Sequence, residues 1–204
     1  MRTAIVYDCE FLTNRTAPSR FWCGPMDPDP TVVQIGAVRL ELEDGFALGD
    51  TFDVIVRPRE RDGAEATLDP HFTWLTGITP ERVSDEGVPL AVALDRFGAF
   101  AGGDTCWSWG KDELNLLAIS CWVEGIAAPM PPSRFGNAAA LLLASGMDAD
   151  AVGELRSHTL CEALGVSTPP LRGHDALSDA RSVAYTLQHL LRTGSLRAAH
   201  FGGS

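Results

Sequence analysis

The chain is 204 residues long, close to the usual size of one domain, and can bury a full core without disulfides or metals as staples. Its composition, 45% hydrophobic and 21% charged, is that of an ordinary globular protein, and no apolar run approaches the ~20 residues that a membrane span requires. A formal net charge of −11 argues against tight, non-specific binding of long nucleic-acid duplexes, which calls for a basic face that displaces counterions from phosphates.

In chain order, Thr3 to Leu12 reads as a strand whose apolar run ends in Asp8-Cys9-Glu10. Successive side chains of a strand point to opposite faces, so the two acids share a face and Cys9 looks the other way. Such a pair repels itself unless something positive lies between, and a hard divalent cation held by carboxylate oxygens is the usual answer. Asn14 to Pro30 is rich in Pro, Gly and turn residues and reads as a loop, with Phe21-Trp22 either pinning it to the body or offering a stacking surface. Thr31 to Leu42 and Asp50 to Val56 flank the turn signal Glu43-Asp44-Gly45, which predicts an antiparallel meander. Thr79-Pro80-Glu81-Arg82 looks like a helix start, and Leu90 to Phe100 carries apolar residues at helical spacing. A short buried strand is expected at Thr105 to Trp109, a helix at Glu113 to Val123, a short apolar helix or strand at Ala138 to Leu143, and a helix at Thr159 to Leu164 ended by Gly165. Between the strand and the helix, Gly110-Lys111-Asp112-Glu113 places acids at the carboxyl end of a strand, where open α/β sheets put their ligands. A last helix opens near His174-Asp175-Ala176-Leu177-Ser178-Asp179 and runs through Leu191, and the residues from about Gly194 read as a fraying tail.

Five cysteines, Cys9, Cys23, Cys106, Cys121 and Cys161, are odd in number and show no C-x-x-C spacing, which suits reduced, mostly buried thiols. Lys111 is the single lysine, so the other formal positive charge is arginine, which grips phosphate oxygens bidentately. No secretory leader is visible after Arg2, and a cytoplasmic location is the expectation. Trp107, Trp109 and Trp122 are expected in the core, and His71, His158, His189 and His200, without metal-ligand spacing, at structural or surface positions.

Asp8-Cys9-Glu10-Phe11, Ile35-Gly36-Ala37-Val38, Leu75-Thr76-Gly77-Ile78-Thr79, Trp109-Gly110 before an acid, and His174-x-Ala176-x-x-Asp179-Ala180 occur in an order and spacing that resemble the DEDDh 3′→5′ exonucleases of the ribonuclease H-like superfamily. The Trp-Gly pair is most similar to the branch with histone-mRNA-type exoribonucleases and their bacterial relatives. The resemblance covers nearly the whole chain and implies an α/β, ribonuclease H-like domain over residues 1–194, with a five-stranded mixed sheet flanked by helices, and a tail at 195–204. It further implies that Asp8, Glu10, a third acid and Asp179 hold two Mg²⁺ or Mn²⁺ ions, that His174 is the general base, and that single-stranded RNA or DNA 3′ ends are the substrates. Apolar register favours Glu113 slightly as the third acid, with Asp112, the better residue type, kept as the rival ligand or as a partner behind it; Asp175 reads as a solvated first-turn acid. Phe11, Trp74, Leu75 and Thr76 resemble the substrate-proximal residues, although Trp74 and Phe72 read equally well as core. RNA is slightly preferred on the Trp-Gly pair. A DNA-directed proofreading-type enzyme, a short-oligonucleotide hydrolase and a non-catalytic binding domain remain alternatives, and a homo-oligomer is left open.

Overall fold

The structure, a computed structural model, describes residues 2–17, 27–110 and 112–202. Phe21, Trp22, Cys23 and Lys111 lie outside the described residues, and with them the stacking surface expected of the first two.

The centre is β1 (Thr3–Phe11), seven of whose nine residues are buried, because both faces of the strand are covered. It pairs antiparallel with β2 (Val32–Glu41), which pairs antiparallel with β3 (Leu48–Ile55), giving the meander expected from the sequence. On its other side β1 runs parallel to β4 (Cys106–Ser108), and β4 runs parallel to β5 (Phe135–Asn137). The resulting five-stranded mixed sheet has the order β3-β2-β1-β4-β5. β5 was not assigned from the sequence: three residues with a central glycine carry too little pattern to register as a strand. Gly136 is nevertheless required there, since a Cβ at that position would fall 2.6 Å from the Trp107 ring.

Alternation along β1 sorts the core into two layers. Ile5, Tyr7 and Cys9 face α3 (Leu90–Ala101) and α4 (Asp112–Glu124), packing among Leu94, Phe97, Leu116 and Leu117. Ala4 and Val6 face α8 (Ala176–Arg192), packing with Val183, Ala184 and Leu187. The remaining helices are short: α1 (Pro70–Thr76), α2 (Pro80–Glu86), α5 (Ala138–Ala144), α6 (Ala149–Glu154) and α7 (Leu160–Ala163). Proline at the first position of α1 and α2 fits there because those N–H groups have no intrahelical acceptor to lose, and Asp69 and Thr79 cap the two ends. The Ser120 hydroxyl on α4 accepts from Val32 N at 2.9 Å, tying that helix to the start of β2. Cys9, Cys106, Cys121 and Cys161 are free and buried, as expected. Among the described residues no helix is long and apolar enough to cross a membrane.

Two expectations are corrected. The segment after Gly194 does not fray: Leu196 and Phe201 are buried, and a 3₁₀ turn over Ala198–Phe201 sets the Phe201 ring edge-on to Trp107 at 5.5 Å. Two apolar residues among small and polar ones form no period, so only the tertiary contact reveals the anchor. Trp122 is 67% exposed rather than core, with the Arg61 guanidinium 5.1 Å from its ring, because Leu117 and Cys121 take the inward face of α4 and residue 122 lies about 100° past it. Trp107 is buried and Trp109 partly so.

Gly36 sets the distance between β2 and α8: a Cβ there would lie 2.1 Å from Leu177 N and 2.4 Å from the Ala176 carbonyl carbon, both backbone atoms that cannot swing aside. Gly36→Ala is expected to destabilise the chain by at least about 1–3 kcal/mol, the ordinary cost of overpacking, in a denaturant titration. An unchanged midpoint would show that the helix is not seated this closely.

Candidate active site

Asp8 and Glu10 project from the carboxyl end of β1 on the face that α8 covers, and Asp179 enters from the first turn of that helix. Their carboxylate oxygens lie within 4.8 Å of one another, and all three residues are buried. The register explains the convergence: Asp8 sits opposite Gly36 and Glu10 opposite Gln34, so the rungs that carry the acids on β1 receive the helix on β2. The buried Gln34 carboxamide clamps that helix start, accepting from Ala176 N at 3.1 Å and donating to Asp175 at 3.3 Å. Asp175 is therefore not merely a solvated acid: it is the N-cap of α8, accepting from Ser178 N at 3.0 Å.

Burial and mutual repulsion raise these carboxyls together. Asp8 is pushed well above the usual range by burial, then by Glu113 and Glu10. Glu10 is pushed up to about 8 by burial and the charges of Asp179 and Asp175, against the opposing pull of Arg172, and burial pushes Asp179 up to about 7. Glu113, buried at the start of α4, is pushed up to about 7 by burial, and its Oε2 has no hydrogen-bond partner among the described residues. Three clustered carboxylates and an unsatisfied carboxylate oxygen beside them form an oxygen donor set that fits a hard divalent cation. Asp8, Glu10 and Asp179 could hold one directly, with Glu113 at the edge of the same space.

The acids line a cavity of about 330 Å³, at the lower end of the range for small-molecule sites. Glu113 lines it; Asp112 is exposed and does not. His174 lines it from a backbone with φ of 58°, a left-handed conformation uncommon for a residue with a side chain. That turn aims His174 N at Asp179 Oδ2, 3.3 Å away. Burial, and then the neighbouring His158, lower the His174 pKa, so the ring is neutral at neutral pH. Phe11, Leu75 and Thr76 line the cavity as expected, and Phe72 is core. Trp74 is corrected as a candidate: it is 76% exposed, stacks on His71 at 5.5 Å and does not line the cavity, because α1 turns Leu75 and Thr76 inward and leaves Trp74 outward.

Sequence reasoning missed Thr13, Trp109, Arg156, Ser157 and His158 as lining residues. The His158 ring centroid lies 5.0 Å from that of His174. Fifteen residues separate the two in sequence, and only the packing of the Ser157–Thr159 turn against α8 joins them.

The strand order, the covered mixed sheet and the acids at the end of β1 define a ribonuclease H-like fold of the kind found in 3′-exonucleases. The chain is similar to a full-length 3′-exonuclease (TM-score 0.73, 18% identity, 96% of this chain and 62% of that one). It is also similar to a 3′-exonuclease solved in specific recognition of the histone mRNA stem-loop 3′ end (0.72, 18%, 95% and 83%). Escherichia coli exonuclease I, solved with a dA16 oligonucleotide, matches at 0.62 and 18%, with 98% of this chain and 42% of that one covered. The chain thus spans less than two thirds of the first and third of these proteins. No family model matches the sequence, and no curated protein matches it by sequence.

The sign of the carboxyl shifts sets a pH dependence. Acids whose pKa is higher in the folded than in the unfolded chain stabilise the fold fully below the unfolded value, near 4, and that contribution is lost as pH rises through about 7 to 8. In metal-free buffer with chelator, the melting temperature is expected to fall by at least about 5 °C between pH 5 and pH 8.5. Millimolar Mg²⁺ or Mn²⁺ is expected to restore it at pH 8.5 and change it little at pH 5. A profile unaffected by either ion would remove the metal from this site.

Proposed function

We propose that the chain is a metal-dependent 3′→5′ exonuclease that removes nucleoside monophosphates from single-stranded ends, with RNA slightly preferred over DNA. The observation that carries this reading is the meeting of Asp8, Glu10, Asp179, Glu113 and His174 in one cavity, on a fold shared with solved 3′-exonucleases. Two divalent ions, Mg²⁺ or Mn²⁺, held by the four carboxylates, would supply the positive charge that activates water and stabilises the leaving 3′-oxygen. Glu113 takes the third ligand position in this reading, favoured over Asp112 by its burial and its unpartnered Oε2. Its chain is one methylene longer than aspartate, which lets a residue on α4 reach toward acids that project from β1.

His174 removes the proton of the attacking water with an imidazole nitrogen, a task suited to a ring kept neutral at neutral pH. The water oxygen bonds to phosphorus, the bond to the 3′-oxygen breaks, that oxygen takes a proton from solvent to become the new 3′-hydroxyl, and a nucleoside 5′-monophosphate leaves behind a strand shorter by one residue. Asp179 accepts the His174 backbone N–H and so fixes the base relative to the ligands. Phe11 and Leu75 offer apolar surface to the terminal base, a sequence-tolerant contact. The net charge of −11 favours a second reading, hydrolysis of very short oligonucleotides, for which a long basic track is unnecessary.

Digestion of 5′-labelled RNA and DNA from two to twenty nucleotides, with Mg²⁺ or Mn²⁺, tests both readings. Wild type is expected to give a ladder shortening from the 3′ end, abolished by chelator. Glu10→Ala, His174→Ala and Glu113→Ala should each lower kcat by about 10² or more, and Asp112→Ala by less than about threefold. Undiminished cleavage by Glu10→Ala and His174→Ala would sink the catalytic assignment.

A further inference from the structure

The cavity has one wall that the nuclease chemistry does not use. Beside His174, the segment Arg156-Ser157-His158 forms a lip that contributes three consecutive residues to the same lining as the acids. The lip is held close to the general base: the His158 Cβ would lie 3.3 Å from a Cβ on Gly173, so Gly173 leaves room for the turn to pack on the backbone just before His174. Arg156 and His158 are both exposed, yet they line the same cavity as four carboxylates. In the hydrogen bonds of the Arg156 guanidinium, Nη1 donates to the Gly153 and Leu155 carbonyls at 3.0 and 2.6 Å, which orients the fork and leaves Nε and Nη2 without a partner among the described residues. No carboxylate lies within ion-pair distance of Arg156 among those residues.

Other arginines are differently placed. Arg39 is tied to Asp104 at 2.6 Å, Arg61 to Asp29 at 2.5 Å and Arg82 to Glu86 at 3.0 Å. Arg134 donates to the Asp104 carbonyl and Arg192 to that of Gly45. A phosphodiester entering a site of four buried acids on a chain of net charge −11 meets repulsion wherever bound cations do not cancel it. Among the described residues that line the cavity, Arg156 is the one permanent cation, Arg172 acting on Glu10 from outside that lining, and the Arg156 fork matches phosphate oxygens.

We infer that the Arg156–His158 lip is a phosphate clamp, gripping a backbone phosphate of the strand whose end lies at the acids. The inference rests on the exonuclease reading and deepens it by naming what holds the substrate: the Arg156 fork and an imidazole N–H of His158, each donating to phosphate oxygen, with Ser157 between them. A clamp of two residues reaches one or two phosphates. The enzyme therefore needs little strand beyond the scissile linkage, and single strands are cleaved without regard to how far they extend past those phosphates.

The test compares wild type, Arg156→Ala, Arg156→Lys, His158→Ala and the double alanine variant in steady-state cleavage of labelled oligonucleotides of two, five and twenty residues. It is paired with fluorescence anisotropy of a labelled ten-residue strand on the non-cleaving His174→Ala background, between 50 and 200 mM NaCl. Each alanine change is expected to raise KM about five- to tenfold with kcat within about twofold, the pattern of an interaction equal in ground and transition states. The slope of log affinity against log salt should shrink by about 0.7 for each phosphate that a variant no longer neutralises, and Arg156→Lys should recover part of the slope. For wild type, kcat/KM should change less than about threefold between five and twenty residues. Unchanged KM and salt slope in active variants would overturn the clamp, and so would a fall in kcat alone, which would make His158 a positioning residue for His174. A wild type that cleaves no strand of any length would overturn the exonuclease reading itself, which separates the two failures.

Discussion

The site depends on how closely the first turn of α8 approaches the β1–β2 pair. Asp8 and Glu10 on β1 and Asp179 on α8 belong to elements about 170 residues apart in sequence, and their oxygens converge to within 4.8 Å only because Gly36 lets helix backbone rest on strand backbone. Gln34, two residues along the same strand, supplies what a glycine cannot: directional hydrogen bonds that stop the helix from sliding. Removing volume at one position and adding a buried amide at the other locates the helix along two axes. The antiparallel ladder makes the coupling automatic, since residues opposite each other share a face.

That placement works against electrostatics. Burying several carboxylates together favours their protonated forms, and a left-handed histidine adds backbone strain of order 1–2 kcal/mol. The fold tolerates both because the strand carrying the acids is covered by apolar layers on each side. The same strain orients the site. With φ positive at His174, the chain reverses so that its N–H meets Asp179 while its ring enters the cavity. Rigid support for a locally unfavourable arrangement is what a preorganised site requires.

Much of this was legible in the sequence where chemistry and period coincide. The D-x-E pair had to share a face of a strand, the meander followed from its turn residues, and the helix bearing Asp179 announced itself through Leu187, Leu190 and Leu191. Glu113 was favoured by apolar register over the better residue type at Asp112, and the helix turns Glu113 inward for the same reason that Leu116 and Leu117 face the core. Features set by phase on short helices were less visible. One turn of α1 gives no period from which to tell that Trp74 faces out while Phe72 faces in. His158, Arg156 and the Phe201 anchor depend on contacts between segments with no local signature, so their neighbours cannot be inferred from spacing.

Net charge sums over groups that act at different ranges. Arg39, Arg61 and Arg82 are neutralised within a few ångströms by Asp104, Asp29 and Glu86, and at physiological salt exposed charges further apart than about 8 Å scarcely interact. What a ligand meets is therefore the local composition of the cavity: four carboxylates, apolar Phe11 and Leu75, and Arg156 with His158. On the exonuclease reading proposed above, a polyanion would be drawn to such a cavity only over its last few phosphates. On that reading the excess of acid over the rest of the surface works in the same direction, discouraging internal stretches of a long strand from lying along the protein while leaving its end free to enter.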